Sequence, residues 1–423
     1  MNDKVTADFL AHSASEVFLP VSDGYRILQH GYVAAFEGRV QAIGEGDAFA
    51  RVHLLPYAAV LDCTGKTITP GLVDAHTHPV FAGWRDDEFE LRIKGARYKD
   101  ILASGGGIMS SVRKTRAASE DELLRNLLSF LNEMLSSGTT TIEAKSGYGL
   151  DLQSEIKSLN ALKRAAEAHL VEIVPTFLVH AVPTEYKGNR SEFIKLVTDV
   201  MIPEVAGSKL AEFADVFCED GVFSVEESRA ILSCASSYGL KLKIHADELE
   251  STGGAELAAE LGAISADHLI RASDKGLSAM AARGVVAVLL PGTPFFLMSD
   301  ERARARFMKE LGVTVAVATD FNPGTSPTTS LPLVISLACL RMGMTPGEAL
   351  WSATKGGAMA IGRADTVGSL EPGMQCDLVV FDCPSHRHIA YRYGVHLVDQ
   401  VVKKGKVVFR KTLRDSQTKG VTG

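Results

Sequence analysis

Between residues 68 and 361 the chain alternates short apolar runs with longer segments of helical composition. Eight of these runs are candidates for β-strands, and they cover residues 71–78, 139–149, 172–182, 214–220, 242–248, 264–269, 285–291 and 313–320. Helical candidates between them include residues 120–135, 152–168, 225–238 and 254–261. Strands that are joined by helical crossovers pair in parallel. The pattern therefore predicts an α/β fold, a (β/α)₈ barrel of the TIM type.

The two ends of the chain follow a different, hairpin-like pattern. Residues 31–45 alternate apolar and polar side chains around a turn at Glu37-Gly38, and a similar pattern returns after residue 361. Neither end has enough strands to be stable alone. We therefore expect both ends to form one small accessory β domain beside the barrel. The predicted domains are residues 1–67 plus 362–423 for the accessory domain and residues 68–361 for the barrel.

Composition argues against several classes of protein. The 423-residue chain carries 44 Lys+Arg against 51 Asp+Glu, a formal net charge of −7, and so lacks the basic excess typical of nucleic-acid binding. It has no run of about 18 apolar residues that could span a membrane, and its first residues, MNDKVTADFL, do not resemble a signal peptide. Its six cysteines form no CxxC pair, which argues against a disulfide framework or a thiolate zinc site. We expect a cytoplasmic protein with no nucleic-acid or membrane partner.

Polar side chains stand at the C-terminal ends of the predicted strands, where (β/α)₈ barrels have their active sites. Five of the 12 histidines lie there, a concentration that chance placement would rarely give. The set also contains a tyrosine and three carboxylates, and its members are His76, His78, Tyr148, His180, Glu219, His245, Glu248, His268 and Asp320. This concentration predicts a metal site at that end of the barrel.

The strongest local signal is the motif His76-Thr77-His78. In an extended strand, residues i and i+2 point the same way, so both imidazoles can face one ion. His245 supplies a third nitrogen and Asp320 a carboxylate, which together suit zinc or iron and leave a position for water. Two other interpretations stay open: His245 as an ordinary strand-end histidine, and Asp320 as the N-cap of a following helix.

The chemistry of such a site requires proton carriers as well as ligands. A bound ion lowers the pKa of water from 15.7 to roughly 7, and a carboxylate must then take up the proton and return it to the leaving group. Asp320 can be both ligand and first proton acceptor, Glu248 can carry the proton onward, and His268 can polarise the attacked carbonyl or steady the water. The simpler interpretations are an exposed glutamate at a helix start for Glu248 and a structural partner of Asp267 for His268.

These residues and their surroundings resemble the amidohydrolase superfamily. The resemblance covers most of the chain and includes DAHTHPVFAGWRDDEFELRIKGARY, ASGGGIMSSVRKTR, TIEAKSGYGL, GGAELAAELGAISADHL and ATDFNPGTSP. The HxH motif alone indicates only the superfamily, whereas the last three motifs resemble the branch that opens an imidazolone ring. Some related barrels hold two metals bridged by a carboxylated lysine on the fourth strand. Lys145, the obvious candidate, lies on the second predicted strand, so one metal is predicted and Lys145 is expected to be structural or part of the substrate site.

The resemblance implies hydrolysis of a ring carbon–nitrogen bond of 4-imidazolone-5-propanoate to N-formimidoyl-L-glutamate, in histidine degradation. It further implies a homodimer with one zinc or iron ion per subunit, held by His76, His78, His245 and Asp320. Another amidohydrolase, such as an aromatic-base deaminase or a hydantoinase-like cyclic amidase, is the alternative because the same water attack serves each. A barrel that binds a metal or a ligand without catalysis is a third interpretation.

The resemblance also implies a set of substrate contacts. Arg85 matches the family's substrate arginine, and a guanidinium suits the propionate carboxylate; without the family it would read as a solvated loop charge. The third strand is one residue shorter than the family pattern, and a one-residue shift reverses side-chain direction in a strand, so the orientation of His180 is the weakest part of the match. The full set of implied substrate-binding residues is Arg85, Tyr148, His180, Glu248, Asn322, Gly324 and Thr325.

Overall fold

Eight parallel strands form the centre of the molecule. The computed structural model describes residues 4–95 and 106–411, so the predicted domain ends and parts of two quoted motifs, at residues 96–98 and 103–105, lie outside the described residues. Neighbouring strands pair in the order in which they occur along the chain. They are Leu72–Thr77, Thr139–Lys145, Glu172–Val179, Phe213–Cys218, Lys241–Ala246, Ser265–His268, Val286–Leu289 and Val315–Val317.

The first and last of these strands approach each other at their C-terminal ends. A parallel bridge joins Thr77 to Phe321. The backbone N–H of Asp320 donates to the carbonyl of His76 at 3.0 Å, and that of His78 donates to the carbonyl of Phe321 at 2.8 Å. The predicted (β/α)₈ barrel is confirmed, and its closure brings the HxH motif beside Asp320.

Helices alternate with the barrel strands, and side-chain caps explain where several of them begin. Ser119, Asp151 and Ser224 each accept a backbone N–H at the first turn of the helix that follows. The α-helices of the described residues are Asp86–Ile93, Ile108–Ala117, Glu120–Ser136, Leu152–Ala168, Arg190–Leu196, Ile202–Gly207, Val225–Ser237, Gly254–Leu261, Asp274–Arg283, Gly292–Phe296, Ala305–Glu310, Leu331–Met342, Pro346–Trp351, Gly357–Ala360 and Arg387–Tyr391. None of the helices within residues 4–95 and 106–411 is both long enough and apolar enough to cross a membrane.

Both chain ends contribute to a second sheet outside the barrel. The strand Thr67–Pro70 joins them, because it pairs in parallel with the N-terminal strand and antiparallel with Leu378–Phe381. The predicted turn at Glu37-Gly38 has both residues at positive φ, which suits a tight hairpin. The domain limits stay a prediction. The eight strands of this sheet are Val5–Val21, Gly24–Phe36, Arg39–Glu45, Val52–Asp62, Thr67–Pro70, Leu378–Phe381, Val398–Lys403 and Lys406–Arg410.

An apolar cluster fills the barrel toward the N-terminal ends of its strands. Val73, Val174 and Phe213 pack there with other strand residues and with the short helix Gly357–Ala360. Gly357 permits this packing, because a Cβ atom at that position would lie 2.5 Å from the carbonyl oxygen of Val73. Apolar side chains therefore fill most of this end of the barrel, together with the buried Lys243, which donates to the carbonyl of Ala360 at 3.1 Å, and the candidate site residues lie at the opposite end.

Candidate active site

Three of the four predicted metal ligands converge at the seam between the first and last strands. Nε2 of His76 and Nε2 of His78 are 3.1 Å apart. Oδ1 of Asp320 lies 3.5 Å from the first nitrogen and 3.3 Å from the second. The His76 and His78 rings lower the pKa of Asp320 well below its usual range, although burial alone would raise it. Burial lowers the pKa of His78 to about 3, so a neutral imidazole faces an ionised carboxylate.

His245 approaches the same cluster from the fifth strand. Its ring centre lies 4.6 Å from that of His76, and its buried Nε2 has no hydrogen-bond partner. Donor atoms of His76, His245 and His268 lie within 4.8 Å of one another, as do those of His76, His78 and Asp320. Buried polar atoms without partners are costly, and imidazole nitrogens with a carboxylate are the donors that zinc and iron accept. The cluster therefore fits a metal ion.

Buried carboxylates lie behind two of these histidines. Oδ2 of Asp267 is 2.6 Å from Nδ1 of His76, and Oδ2 of Asp215 is 3.0 Å from Nδ1 of His245. The first contact is a hydrogen bond of the type that fixes the tautomer and orientation of a metal-binding histidine, and the second is an electrostatic pairing. Nζ of Lys145 donates to Asp215 and to Glu143, at 2.8 Å each. Burial lowers the pKa of Lys145, but these carboxylates outweigh it and raise the pKa, so the side chain is a charged ammonium.

His180 and Tyr148 lie beside the candidate ligands, with both rings within 6.2 Å of the His78 ring. His180 follows the third strand, and its ring lies 5.3 Å from that of His78 and 5.4 Å from that of Tyr148. Burial lowers the pKa of His180 well below its usual value and raises the pKa of Tyr148. Both groups are therefore neutral at pH 7 and can offer hydrogen bonds to a polar ligand. The shorter third strand does not turn His180 away from the site.

Glu248 and His268 form a second polar pair beside the cluster. Oε2 of Glu248 lies 3.6 Å from Nε2 of His268. Burial raises the pKa of Glu248 and lowers the pKa of His268 to about 4. The interpretation of Glu248 as an exposed glutamate at a helix start is wrong, because its side chain is only 13% exposed. A carboxyl group with a raised pKa is the type that carries protons near neutral pH.

The loop after the eighth strand packs against Arg85. The guanidinium lies so close to Gly324 that a Cβ atom there would be 2.2 Å from Nη1, so a larger residue would require the guanidinium to shift. Arg85 is also paired with Glu88, at 3.0 Å from Nε to Oε2. Oδ1 of Asn322 accepts from the backbone N–H groups of Gly324 and Thr325 at 2.8 and 2.7 Å. Arg85 is thus no solvated loop charge, and Asn322 organises the turn that follows Asp320.

The family of the chain follows from comparison with known proteins. The model of the Amidohydrolase family matches residues 67–408, which is most of the sequence. The chain belongs to the amidohydrolase family. The membership predicted from the sequence is thereby confirmed.

Relatives of this amidohydrolase carry a common name. An imidazolonepropionase of Geobacillus kaustophilus (strain HTA426) is 54% identical over 385 residues, which cover 90% of this chain and 91% of that protein. An imidazolonepropionase of Brevibacillus brevis (strain 47 / JCM 6285 / NBRC 100599) is 51% identical over 388 residues, again 90% of this chain and 91% of that protein. At this identity and coverage the chain falls among the imidazolonepropionases.

Solved structures of several other enzymes share the fold. An adenosine deaminase from Xanthomonas campestris with bound zinc superposes with a TM-score of 0.73 at 18% identity, covering 96% of this chain and 93% of that one. A triazine hydrolase of Arthobacter aurescens gives a TM-score of 0.75 at 18% identity, covering 95% and 94%. Identities this low are evidence for the fold alone.

Several residues of the site were not predicted from the sequence of this amidohydrolase. Asp267 contacts His76, 191 residues away, instead of the neighbouring His268. Asp215 gives no signal beyond being a polar residue in an apolar strand. Thr293 follows the seventh strand, which has no ionisable end, and its hydroxyl donates to Oδ2 of Asp320. Asp320 is therefore held in the cluster and is not a helix N-cap.

Proposed function

We propose that this amidohydrolase opens the ring of 4-imidazolone-5-propanoate in histidine degradation. Water adds to the ring carbonyl carbon, the bond from that carbon to the ring nitrogen breaks, and the nitrogen takes up a proton to give N-formimidoyl-L-glutamate. The observation that carries the proposal is the joint presence of a metal-fitting cluster and a buried proton carrier in a chain 54% identical to an imidazolonepropionase. A small-molecule substrate suits a site enclosed at the barrel end.

We propose one zinc or iron ion per chain, with His76, His78, His245 and Asp320 as its ligands. The support is that donor atoms of His76, His78 and Asp320 lie within 4.8 Å of one another, that His245 forms a second such group with His76 and His268, and that Nε2 of His245 has no partner. When bound, such an ion lowers the pKa of water to roughly 7 and so supplies a nucleophile at neutral pH. These ligands do not distinguish zinc from iron, so the metal present must be measured.

Carboxyl groups of the chain move the proton of the attacking water. The Asp320 carboxylate is ionised and lies within 3.5 Å of the Nε2 atoms of His76 and His78, where it accepts that proton. Glu248 has a raised pKa and delivers a proton to the leaving ring nitrogen. His268 is neutral beside Glu248, and it can either polarise the attacked carbonyl or steady the water.

Charged and polar side chains at the rim orient the substrate. The Arg85 guanidinium binds the propionate carboxylate, and Glu88 holds it by its Nε edge while Nη1 faces the Gly324 backbone. Tyr148 and His180 are neutral and contact the ring. The turn after the eighth strand completes the substrate site, with Asn322, Gly324 and Thr325.

The reaction can be tested by following the first product. Purified protein with imidazolonepropionate should remove the imidazolone absorbance without releasing ammonia. Ammonia as the first product would overturn the proposal in favour of a deaminase. Removal of the metal with a chelator should abolish turnover, and readdition of zinc or iron should restore it. Normal turnover of metal-free protein would contradict the proposed mechanism.

We further propose that the protein is a cytoplasmic homodimer, as the family resemblance implies. The net charge of −7 is in keeping with a small anionic substrate bound by a local arginine, and with the absence of a nucleic-acid partner. Light scattering after size-exclusion chromatography should give the mass of two chains. A single chain's mass at micromolar concentration would contradict the homodimer.

A further inference from the structure

Glu219 is a buried carboxylate that follows the fourth barrel strand, next to the strand that carries His245. Its oxygens accept four backbone N–H groups. Oε2 accepts from Glu248 at 3.0 Å and from Leu249 at 2.8 Å. Oε1 accepts from Asp220 at 3.0 Å and from Glu250 at 3.1 Å. Three of the four donors belong to the loop that bears Glu248.

A second carboxylate holds the other end of the same loop. Asp247 has a positive φ of 52°, and Oδ1 of its side chain accepts from the backbone of Thr252 at 2.8 Å and Gly253 at 3.0 Å. Oδ2 accepts from Ala255 at 2.9 Å. Asp247 thus orders the start of the following helix, whereas Glu219 reaches across from the neighbouring strand and holds the backbone of residues 248–250.

The position of the Glu248 carboxyl depends on this contact. A carboxylate that accepts several backbone N–H groups forms strong, charge-assisted hydrogen bonds. Among the residues that the structure describes, no lysine or arginine forms an ion pair with Glu219, so backbone amides supply its stabilisation. Proton transfer requires the donor and acceptor atoms to lie within hydrogen-bond reach, and small displacements are costly.

We infer that Glu219 is a positioning residue for the reaction: by binding the loop backbone it places the Glu248 carboxyl beside His268 and the leaving ring nitrogen. The inference rests on the proposed role of Glu248 as proton carrier. Glu219 itself touches neither the metal cluster nor the reacting atoms. It therefore acts on the rate through Glu248 and leaves the metal ligands in place.

The test uses the full chain with its metal bound. In Glu219→Gln an amide NH₂ group replaces one acceptor oxygen. Backbone N–H groups of the loop would then face another donor and lose their hydrogen bonds. We expect normal metal content, a KM close to that of the wild type and a kcat lowered at least about tenfold. A tenfold loss corresponds to an increase of about 1.36 kcal/mol in the activation free energy of the reaction. Asp220→Asn is the matched control, because this neighbouring carboxylate is exposed and accepts no loop amide; it should retain wild-type kcat.

A double-mutant cycle separates positioning from a general structural effect. If Glu219 acts through Glu248, adding Glu219→Gln to Glu248→Gln should cause little further loss of kcat. An equal loss in both backgrounds would overturn the inference, as would wild-type kcat in Glu219→Gln alone. Wild-type kcat in Glu248→Gln would instead overturn the proposed proton carrier, so the two failures are distinguishable.

Amide hydrogen exchange in the wild-type enzyme gives a readout that does not depend on a variant that folds. The N–H groups of Leu249 and Glu250 lie in an irregular loop, yet both donate to Glu219. We expect them to exchange at least about tenfold more slowly than an unprotected amide, which corresponds to about 1.4 kcal/mol of protection. Unprotected exchange at both positions would overturn the inference even if Glu219→Gln fails to fold.

Discussion

Buried charges occur in both the barrel and the accessory sheet. Those in the barrel contact a histidine of the candidate active site, whereas those in the sheet join it to the barrel. In the barrel, Lys145 binds Asp215, which in turn contacts His245, a proposed metal ligand. In the accessory sheet, Lys403 donates to Asp377 at 2.7 Å and to the carbonyl of Thr140 at 3.1 Å, and so ties the sheet to a barrel strand. The first network ends at the candidate active site, and the second continues to Glu172 at the start of the third barrel strand, 3.7 Å from Lys403.

The difference shows why such charges are present. A buried ion pair is weak evidence for stability, because desolvation offsets much of the attraction between the charges. In the barrel the carboxylates orient histidines, which an apolar residue cannot do. In the accessory sheet the charged groups join segments that are distant in sequence. Variants in the barrel should therefore lose metal binding and rate, and variants in the sheet should lose stability alone.

The largest effect is expected for Asp320→Ala. This change removes a proposed ligand and the first proton acceptor together, so kcat/KM should fall by about 10²–10⁴-fold or more. Metal content, measured by elemental analysis of the purified protein, should fall as well. Asp300→Ala removes a fully exposed carboxylate and is the control. Unchanged activity in Asp320→Ala would contradict the ligand set.

Two lysine variants test whether the buried charges of the barrel and of the accessory sheet have different roles. Lys145→Met leaves buried carboxylates without their cation, and the free energy of unfolding should fall by about 3–5 kcal/mol. Because Asp215 then holds His245 less firmly, metal affinity should fall about 10–100-fold. Lys403→Met should lower stability by a similar amount but keep wild-type metal affinity. Denaturant unfolding and chelator competition measure the two quantities. Equal metal affinity in both variants would contradict the claim that only the buried charges of the barrel support metal binding.

Arg85→Ala tests the substrate side of the barrel. Loss of one charge-assisted contact to the propionate should raise KM by an amount equivalent to about 1.5–3 kcal/mol, while metal content stays unchanged. The control is Lys94→Ala. Arg85 and the exposed Lys94 flank opposite ends of the helix Asp86–Ile93, and this variant should behave as wild type. A change in melting temperature without a change in KM would reject the proposed role of Arg85.

The smallest effect is expected for Glu16, in the N-terminal strand of the accessory sheet. Burial raises the pKa of Glu16, but the backbone N–H and ring of His386 outweigh it and hold the pKa below 4.5. The ionised carboxylate therefore stabilises the fold above that pH, and the contribution is lost as the pH falls through the lowered value. Glu16→Gln should cost about 1–2 kcal/mol at pH 7 and less in acid, with kcat unchanged. A penalty independent of pH would contradict this assignment.

Local patterns in the sequence predicted the helices, the strands and the HxH motif. The contacts around the site depend on tertiary structure and could not be predicted in this way. The helix Leu152–Ala168 was predicted with its observed bounds, because Asp151 caps it and its apolar spacing is regular. The HxH motif likewise depends only on strand geometry. The contact between Asp267 and His76 spans 191 residues and depends on barrel register, which no local pattern contains. The burial of Glu248 could not be predicted either, because its loop is held by Glu219, which follows a different strand.

The seam between the first and last barrel strands has a consequence for the order of events during synthesis. His78 leaves the ribosome about 240 residues before Asp320, a delay of roughly 10–50 s at about 5–20 residues per second. A metal ion that meets the growing polypeptide finds a histidine pair without its carboxylate partner. The full donor set exists only after the last strand has docked on the first. Binding of an ion by all the proposed ligands therefore follows closure of the barrel.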